Sequence, residues 1–158
     1  MIRPAKPEDV AEIHAMVREL ADYEKSLDQA KATTEQLHDA LFGERPAVFA
    51  HIAEDDGGRV LGFALWFLNY STWTGVHGIY LEDLYVRPAA RGTGYGKALL
   101  AQLARICVER GYQRLEWSVL DWNEPALAVY RSQGAVPMDE WTVHRLTGDA
   151  LEAMAEGY

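Results

Sequence analysis

A chain of 158 residues, 49% hydrophobic and 25% charged, is long enough for one domain with its own core and too apolar to be disordered. Its formal net charge of −9 argues against sequence-independent nucleic-acid binding, which needs surplus Lys and Arg to meet phosphates, and fits a small cationic ligand or plain solubility. One cysteine, Cys107, leaves no internal disulfide and no cysteine-rich metal site. The amino-terminal stretch lacks the apolar segment of a secretory signal, and no apolar run is long enough to span a membrane, so a cytoplasmic protein with no membrane partner is expected.

Residues 2–5 can form a short first strand. From Glu8 to Glu24 the apolar positions Val10, Ile13, Val17 and Leu20 recur every three or four residues, which predicts one helix face, with Pro7 suited to its first turn. Residues 32–43 predict a second helix, opened by Thr33 and Gln36 at capping-box spacing and ended by Gly43. Two apolar strands, 47–54 and 60–69, flank the turn signal Asp55-Asp56-Gly57-Gly58-Arg59. A third strand covers 79–86. A helix follows from about Gly94 to Arg110, with Leu99, Leu100, Leu103, Ile106 and Cys107 inward and Gly111 at its end. Residues 114–120 predict another strand, 124–133 a short helix after Asn123, 140–146 a late strand and 148–157 a terminal helix. The succession implies one α/β domain over residues 1–158, with helices flanking a mixed, mostly antiparallel sheet.

The densest signal lies between the third strand and its helix: Arg91-Gly92-Thr93-Gly94-Tyr95-Gly96-Lys97. A dinucleotide fingerprint fails because Lys97 stands where the third glycine belongs. A nucleotide P-loop fails because Arg91 stands at its first glycine and Ala98 follows the lysine. An anion still fits. Helix-start N–H groups carry partial positive charge, glycines let a phosphate approach them, and Arg87, Arg91 and Lys97 add charge. The five histidines form no ligand-spaced cluster, so no metal is expected.

Arg91-Gly92-Thr93-Gly94-Tyr95-Gly96 resembles the Arg/Gln-x-x-Gly-x-Gly/Ala loop of the GNAT acetyltransferases. The resemblance extends through "RELADYE", "FGERP", "YLEDLYV" and "DWNEPALAVYRSQGA", from Ile2 to about Met154, and is nearest the spermidine/spermine and thialysine branch. It implies the GNAT fold, acetyl-CoA as cosubstrate and a small primary amine as acceptor: a polyamine, a diamine or a lysine analogue such as thialysine. A protein lysine, an antibiotic amine and a non-catalytic acetyl-CoA-binding role are the alternatives. The loop from Arg91 to Lys97 would hold the diphosphate, with the backbone of Leu84, Tyr85 and Val86 pairing with the pantetheine arm and Leu84 or Tyr85 giving an N–H to the carbonyl oxygen. The segment Asn123, Glu124, Pro125 and Ala126 would also meet the arm, although Asn123 is equally suited to capping its own helix.

The same resemblance makes Tyr130 the general acid and a cosubstrate contact, where an isolated helical tyrosine would be read as packing. Glu82 is a base or a cation-binding carboxylate, or both. Acceptor residues carried over are Tyr23, Glu24, Trp73, Glu82, Asp83, Glu116, Trp117 and Ser118. Carboxylates and aromatic faces suit an alkylammonium, though Glu24 could be a solvated helix end and the two tryptophans could be packing. A homodimer is implied as well, with Trp141 and Val143 as candidate interface residues.

Overall fold

The computed structural model describes residues 1–157, which form two compact units, Met1–Ser118 and the residues from Val119 onward. The first unit carries a five-stranded sheet in the order β1 (Ile2–Pro4), β2 (Phe49–Glu54), β3 (Val60–Ser71), β4 (Val76–Val86) and β5 (Leu115–Trp117). Neighbours are antiparallel except β4 and β5, which are parallel and joined by a helical crossover. The helices are α1 (Val10–Tyr23), α2 (Thr34–Phe42) and α3 (Tyr95–Arg110).

Alternation along the strands gives the sheet two apolar faces. Ala50, Ile52, Phe63, Leu65 and Tyr85 join Ile13 and Met16 of α1 and Leu41 of α2 in one core. The opposite set includes Ala53, Ala64, Trp66, Ile79 and Leu81, buried together with Leu99, Leu100, Leu103 and Cys107 of α3. Burial pushes the Cys107 thiol up, as suits a packing residue. Helix α1 begins at Val10, two residues later than the expected Glu8, because Pro7–Asp9 form a 3₁₀ turn. There the buried Asp9 receives two bonds from Arg3, at 2.7 and 3.0 Å, and one from the Lys6 N–H, and Arg3 holds its carboxyl below the usual range. Helix α2 has the capping box its sequence announced: Thr33 Oγ1 accepts from the Gln36 N–H, and Gln36 Oε1 from the Thr33 N–H.

Strands β3 and β4 are longer than their apolar runs, pairing out to Ser71 and Val76 around a tight turn. Backbone pairing carries both strands into the polar stretch that a hydrophobicity pattern reads as loop.

The second unit contains α4 (Glu124–Ser132) and α5 (Gly148–Glu156). The strand expected at 140–146 is not formed: these residues adopt no helix or strand, and Trp141 and Val143 are 65% and 83% exposed. Among the described residues no helix is long and apolar enough to cross a membrane.

Candidate active site

The site begins with a fault in the sheet. Leu65 of β3 pairs with Asp83 and Trp66 with Leu81, so Glu82 is an extra residue on β4, a β-bulge. A bulge re-aims side chains and often stands beside a functional site. Here it leaves Glu82 exposed and sends Asp83 to the α1 side, where Asp83 pairs across from Leu65.

The second feature is an early parting. The β4–β5 ladder ends at Leu81 and Trp117, while β4 runs on to Val86. The Arg87 N–H donates to the Leu61 carbonyl at 2.8 Å, and the Tyr85 oxygen abuts Gly62. Alternate residues therefore face β3, and Leu84 and Val86 present their backbone groups to the open side. The expected run of three thus divides. Tyr85 has its backbone in the β3 ladder instead, and of the two N–H groups expected at the carbonyl oxygen only that of Leu84 faces the open edge. The Tyr85 ring is buried and its hydroxyl donates to Glu19 at 3.2 Å.

The glycine loop follows Pro88–Ala90. Gly92 and Gly94 have φ of +80° and +88°, which an L side chain adopts only under strain, and a Cβ on either would meet nothing within 4 Å. The geometry makes both glycines backbone requirements. Gly96 lies in the first turn of α3, where a Cβ would make only an ordinary contact with Val86. Gly94 caps α3 with no side-chain hydrogen bond, and the first helical bond runs from Ala98 N–H to Gly94. The N–H groups of Tyr95, Gly96 and Lys97 thus belong to the turn that has no acceptors within its own helix. Thr93 donates its hydroxyl to the Ala90 carbonyl, bracing the loop.

Of the three basic residues expected to surround the loop, Arg87 is committed elsewhere. It pairs with Glu12 at 2.7 Å and Glu19 at 3.2 Å and donates to the Val60 carbonyl, tying the end of β4 to α1. Arg91 donates through Nε to the Val86 carbonyl, and its guanidinium lies 5.4 and 5.6 Å from the ring centroids of Tyr23 and Tyr85.

Around the bulge lies an acidic group. Burial, then the neighbouring Glu82 and Glu24, push the Asp83 carboxyl up to about 6, and burial raises that of Glu24. Two of the acceptor residues expected from sequence, Glu82 and Glu24, are therefore within electrostatic reach of a third, Asp83, and Tyr23 lies beside Arg91. Farther along, Glu116 accepts from the Asn69 amide at 3.2 Å, and Ser118 shares a 2.7 Å hydrogen bond with the Tyr80 hydroxyl. Asn69 and Tyr80 were not singled out from sequence; only the pairing of Glu116 with Tyr80 across β4 and β5 reveals them. Trp117 is half-buried at the last rung of that ladder. Trp73, also expected at the acceptor side, has a different place in the fold. It lies in the β3–β4 turn, 79% exposed, and β4 rises roughly 20 Å from Val76 to Glu82 at ~3.3 Å per residue.

In the second unit, Asn123 Oδ1 accepts from the Ala126 N–H at 3.5 Å, a long cap for α4. Pro125 stands in the first turn, Glu124 pairs with Arg131 at 3.6 Å, and Tyr130 lies in the last turn.

The sequence profile of the Acetyltransferase (GNAT) family matches residues 13–135. A thialysine N-epsilon-acetyltransferase of Bos taurus is 39% identical over 98% of this chain and 96% of its own length. An L-ornithine N5-acetyltransferase of Arabidopsis thaliana is 32% identical over 97% and 86%. The structure of an integron cassette protein from the mobile metagenome of V. cholerae superimposes with a TM-score of 0.82 at 29% identity, covering 99% of this chain and 97% of that one. The chain belongs to the GNAT family and is an acetyltransferase.

Proposed function

We propose that the protein moves the acetyl group of acetyl-CoA to the primary amine of a small cationic acceptor, either a lysine-like amino acid or a diamine or polyamine. The observation that carries this reading is the near full-length similarity to thialysine and L-ornithine acetyltransferases, names that describe side-chain amines of lysine-like amino acids. The carboxyl group of Glu24, Glu82 and Asp83 supports it, since an alkylammonium gains from such a field.

The residues present fit the cosubstrate. The left-handed glycines and the uncapped start of α3 offer N–H groups to a diphosphate, with Arg91 and Lys97 beside them. The open backbone edge at Leu84 and Val86 would pair with the amide-bearing arm, joined by the segment Asn123–Ala126. When bound, the thioester supplies the acetyl group.

An alkyl amine of pKa ~10.4 is neutral about once in a thousand molecules at pH 7.4, a handicap of roughly 4 kcal/mol. Glu82 takes the ammonium proton, directly or through water, while Asp83 and Glu24 hold the cation. The Leu84 N–H donates to the thioester carbonyl oxygen as that oxygen gains charge. As the C–N bond forms and the C–S bond breaks, the Tyr130 hydroxyl would give its proton to the departing sulfur, and the proton shed by the new amide nitrogen would return through water to the phenolate. We also take the two units as one catalytic domain, because the family match crosses their boundary. The protein is taken as cytoplasmic and homodimeric, with the exposed Trp141 and Val143 as candidate contacts. A monomer in light scattering at micromolar concentration would refute the dimer.

The deciding experiment is release of CoA thiol from acetyl-CoA against thialysine, ornithine, lysine, putrescine, spermidine, an aminoglycoside and a lysine peptide. Turnover with a small amine and none with the peptide is expected. Turnover confined to the peptide or the aminoglycoside overturns the acceptor class. Acetyl-CoA binding with no turnover on any amine favours a binding module.

A further inference from the structure

Between the β1–β2 edge of the sheet and the end of α3 lies a cleft of about 280 Å³, in part of the first unit that the transfer reaction does not use. Its walls are mostly apolar and include Phe42, Phe49 and Ile106. Two lining side chains give it chemistry. Trp66 Nε1 donates to His51 Nδ1 at 3.1 Å in the buried wall, which fixes the imidazole tautomer with its proton on Nε2. Burial lowers the pKa of His51, so the ring is a neutral donor. Arg110 lies with its guanidinium 5.9 Å from the Trp66 ring and 5.8 Å from that of Tyr112. No carboxylate among the described residues lies within ion-pair distance of it.

A cation in the last turn of α3 suits the helix dipole. That accounts for the charge. It does not account for an apolar volume beneath an arginine that no carboxylate neutralises, in a protein of net charge −9. A ligand matching this wall needs an apolar body for the aromatic floor and an anionic head for the guanidinium and the imidazole N–H.

We propose that this cleft is a second binding site, for a small organic carboxylate with an apolar body, held by Arg110 and His51 over the Trp66 ring. Trp66 pairs with Leu81, immediately before the bulge residue Glu82, so an occupied cleft touches β3, the neighbour of the strand that carries the transfer site.

The test is titration of the full chain with phenylacetate under saturating CoA, which keeps the probe out of the cosubstrate site. It is read by the ¹H–¹⁵N resonance of the Trp66 indole, assigned with Trp66→Phe. Phenethylamine is the cationic control of like shape. Phenylacetate is expected to shift the Trp66 signal saturably and phenethylamine is not. Arg110→Met, a change at an exposed position, is expected to raise the phenylacetate Kd roughly tenfold or more while leaving the acetyl-CoA Kd unaltered. Equal shifts from both probes, no shift from either, or an unchanged Kd in Arg110→Met overturns the proposal.

Discussion

Arg91 Nε donates to the carbonyl oxygen of Val86 at 3.0 Å, closing the turn that joins β4 to the glycine loop. This bond uses one edge of the guanidinium and leaves the terminal nitrogens for an anion, while the ring faces of Tyr23 and Tyr85 steady the plane. Arg91→Ala is expected to raise the Kd for acetyl-CoA roughly ten- to a hundredfold, the range for a lost charge-assisted hydrogen bond. Arg91→Lys restores little, because an ammonium cannot hold the Val86 carbonyl and grip two phosphate oxygens in one plane. Calorimetric titration of both variants checks this.

Asp83 offers a stability signature. Its carboxyl is raised from 3.8 to about 6 in the folded protein, so the native state binds its proton more tightly than the unfolded chain does. The resulting penalty is absent below about pH 4, grows through the interval up to about 6 and is full above it. Asp83→Asn is expected to be more stable than the parent at pH 8, by about 1–2 kcal/mol once solvent screening is allowed for, with the advantage gone by about pH 4. Thermal melts across that range read it directly, and a variant less stable at pH 8 would refute it.

The same carboxyl predicts how the acceptor binds. A dication that does not react, titrated with CoA present, should bind more tightly as the pH rises through about 6, where Asp83 becomes charged. Asp83→Asn should flatten that rise. A rise that survives the substitution would assign it to another carboxylate.

Much of this arrangement is legible in the sequence, because local rules carry it. The glycine loop, the capping box at Thr33 and Gln36 and the apolar face of α1 each rest on residues close in the chain. What escaped is long-range. The bulge at Glu82 exists only in the register between β3 and β4, and nothing within "YLEDLYV" marks which residue is extra. Arg87 reads as a phosphate ligand until α1 supplies Glu12 and Glu19 across a separation of more than sixty residues. Asn69 and Tyr80 gain meaning only when β5 lies beside β4. The late strand at 140–146 was read from alternation alone, a local pattern that does not by itself make a strand.

Tyr130 and Glu82 should fail in different ways. Tyr130→Phe keeps the ring and removes the proton, so kcat is expected to fall roughly 10²–10⁴-fold with the acetyl-CoA Kd nearly unchanged. Glu82→Gln keeps the bulge and removes a base, so the loss should shrink as pH rises and more amine is neutral in solution. A loss independent of pH would make Glu82 a cation-binding residue alone. Steady-state kinetics from pH 6.5 to 9.5 separates the two.

Two glycines separate strain from collision. At Gly94 an added Cβ meets nothing within 4 Å, so Gly94→Ala costs only the left-handed backbone, about 1–2 kcal/mol. At Gly62 the Cβ would lie 2.6 Å from the Tyr85 carbonyl oxygen and 3.2 Å from the Val86 Cα, both backbone atoms that cannot rotate away. Gly62→Ala must part β3 from β4 where β4 turns its open edge outward, a cost at or above the ~1–3 kcal/mol of ordinary overpacking. It is therefore expected to lower Tm more than Gly94→Ala does. It should also weaken acetyl-CoA binding although Gly62 lies on the neighbouring strand, because the displaced residues are Tyr85 and Val86. Gly94→Ala should weaken binding through the loop, with a smaller fall in Tm. If Gly62→Ala melts like the parent and binds like it, the close approach of β3 to β4 does not set the position of that edge.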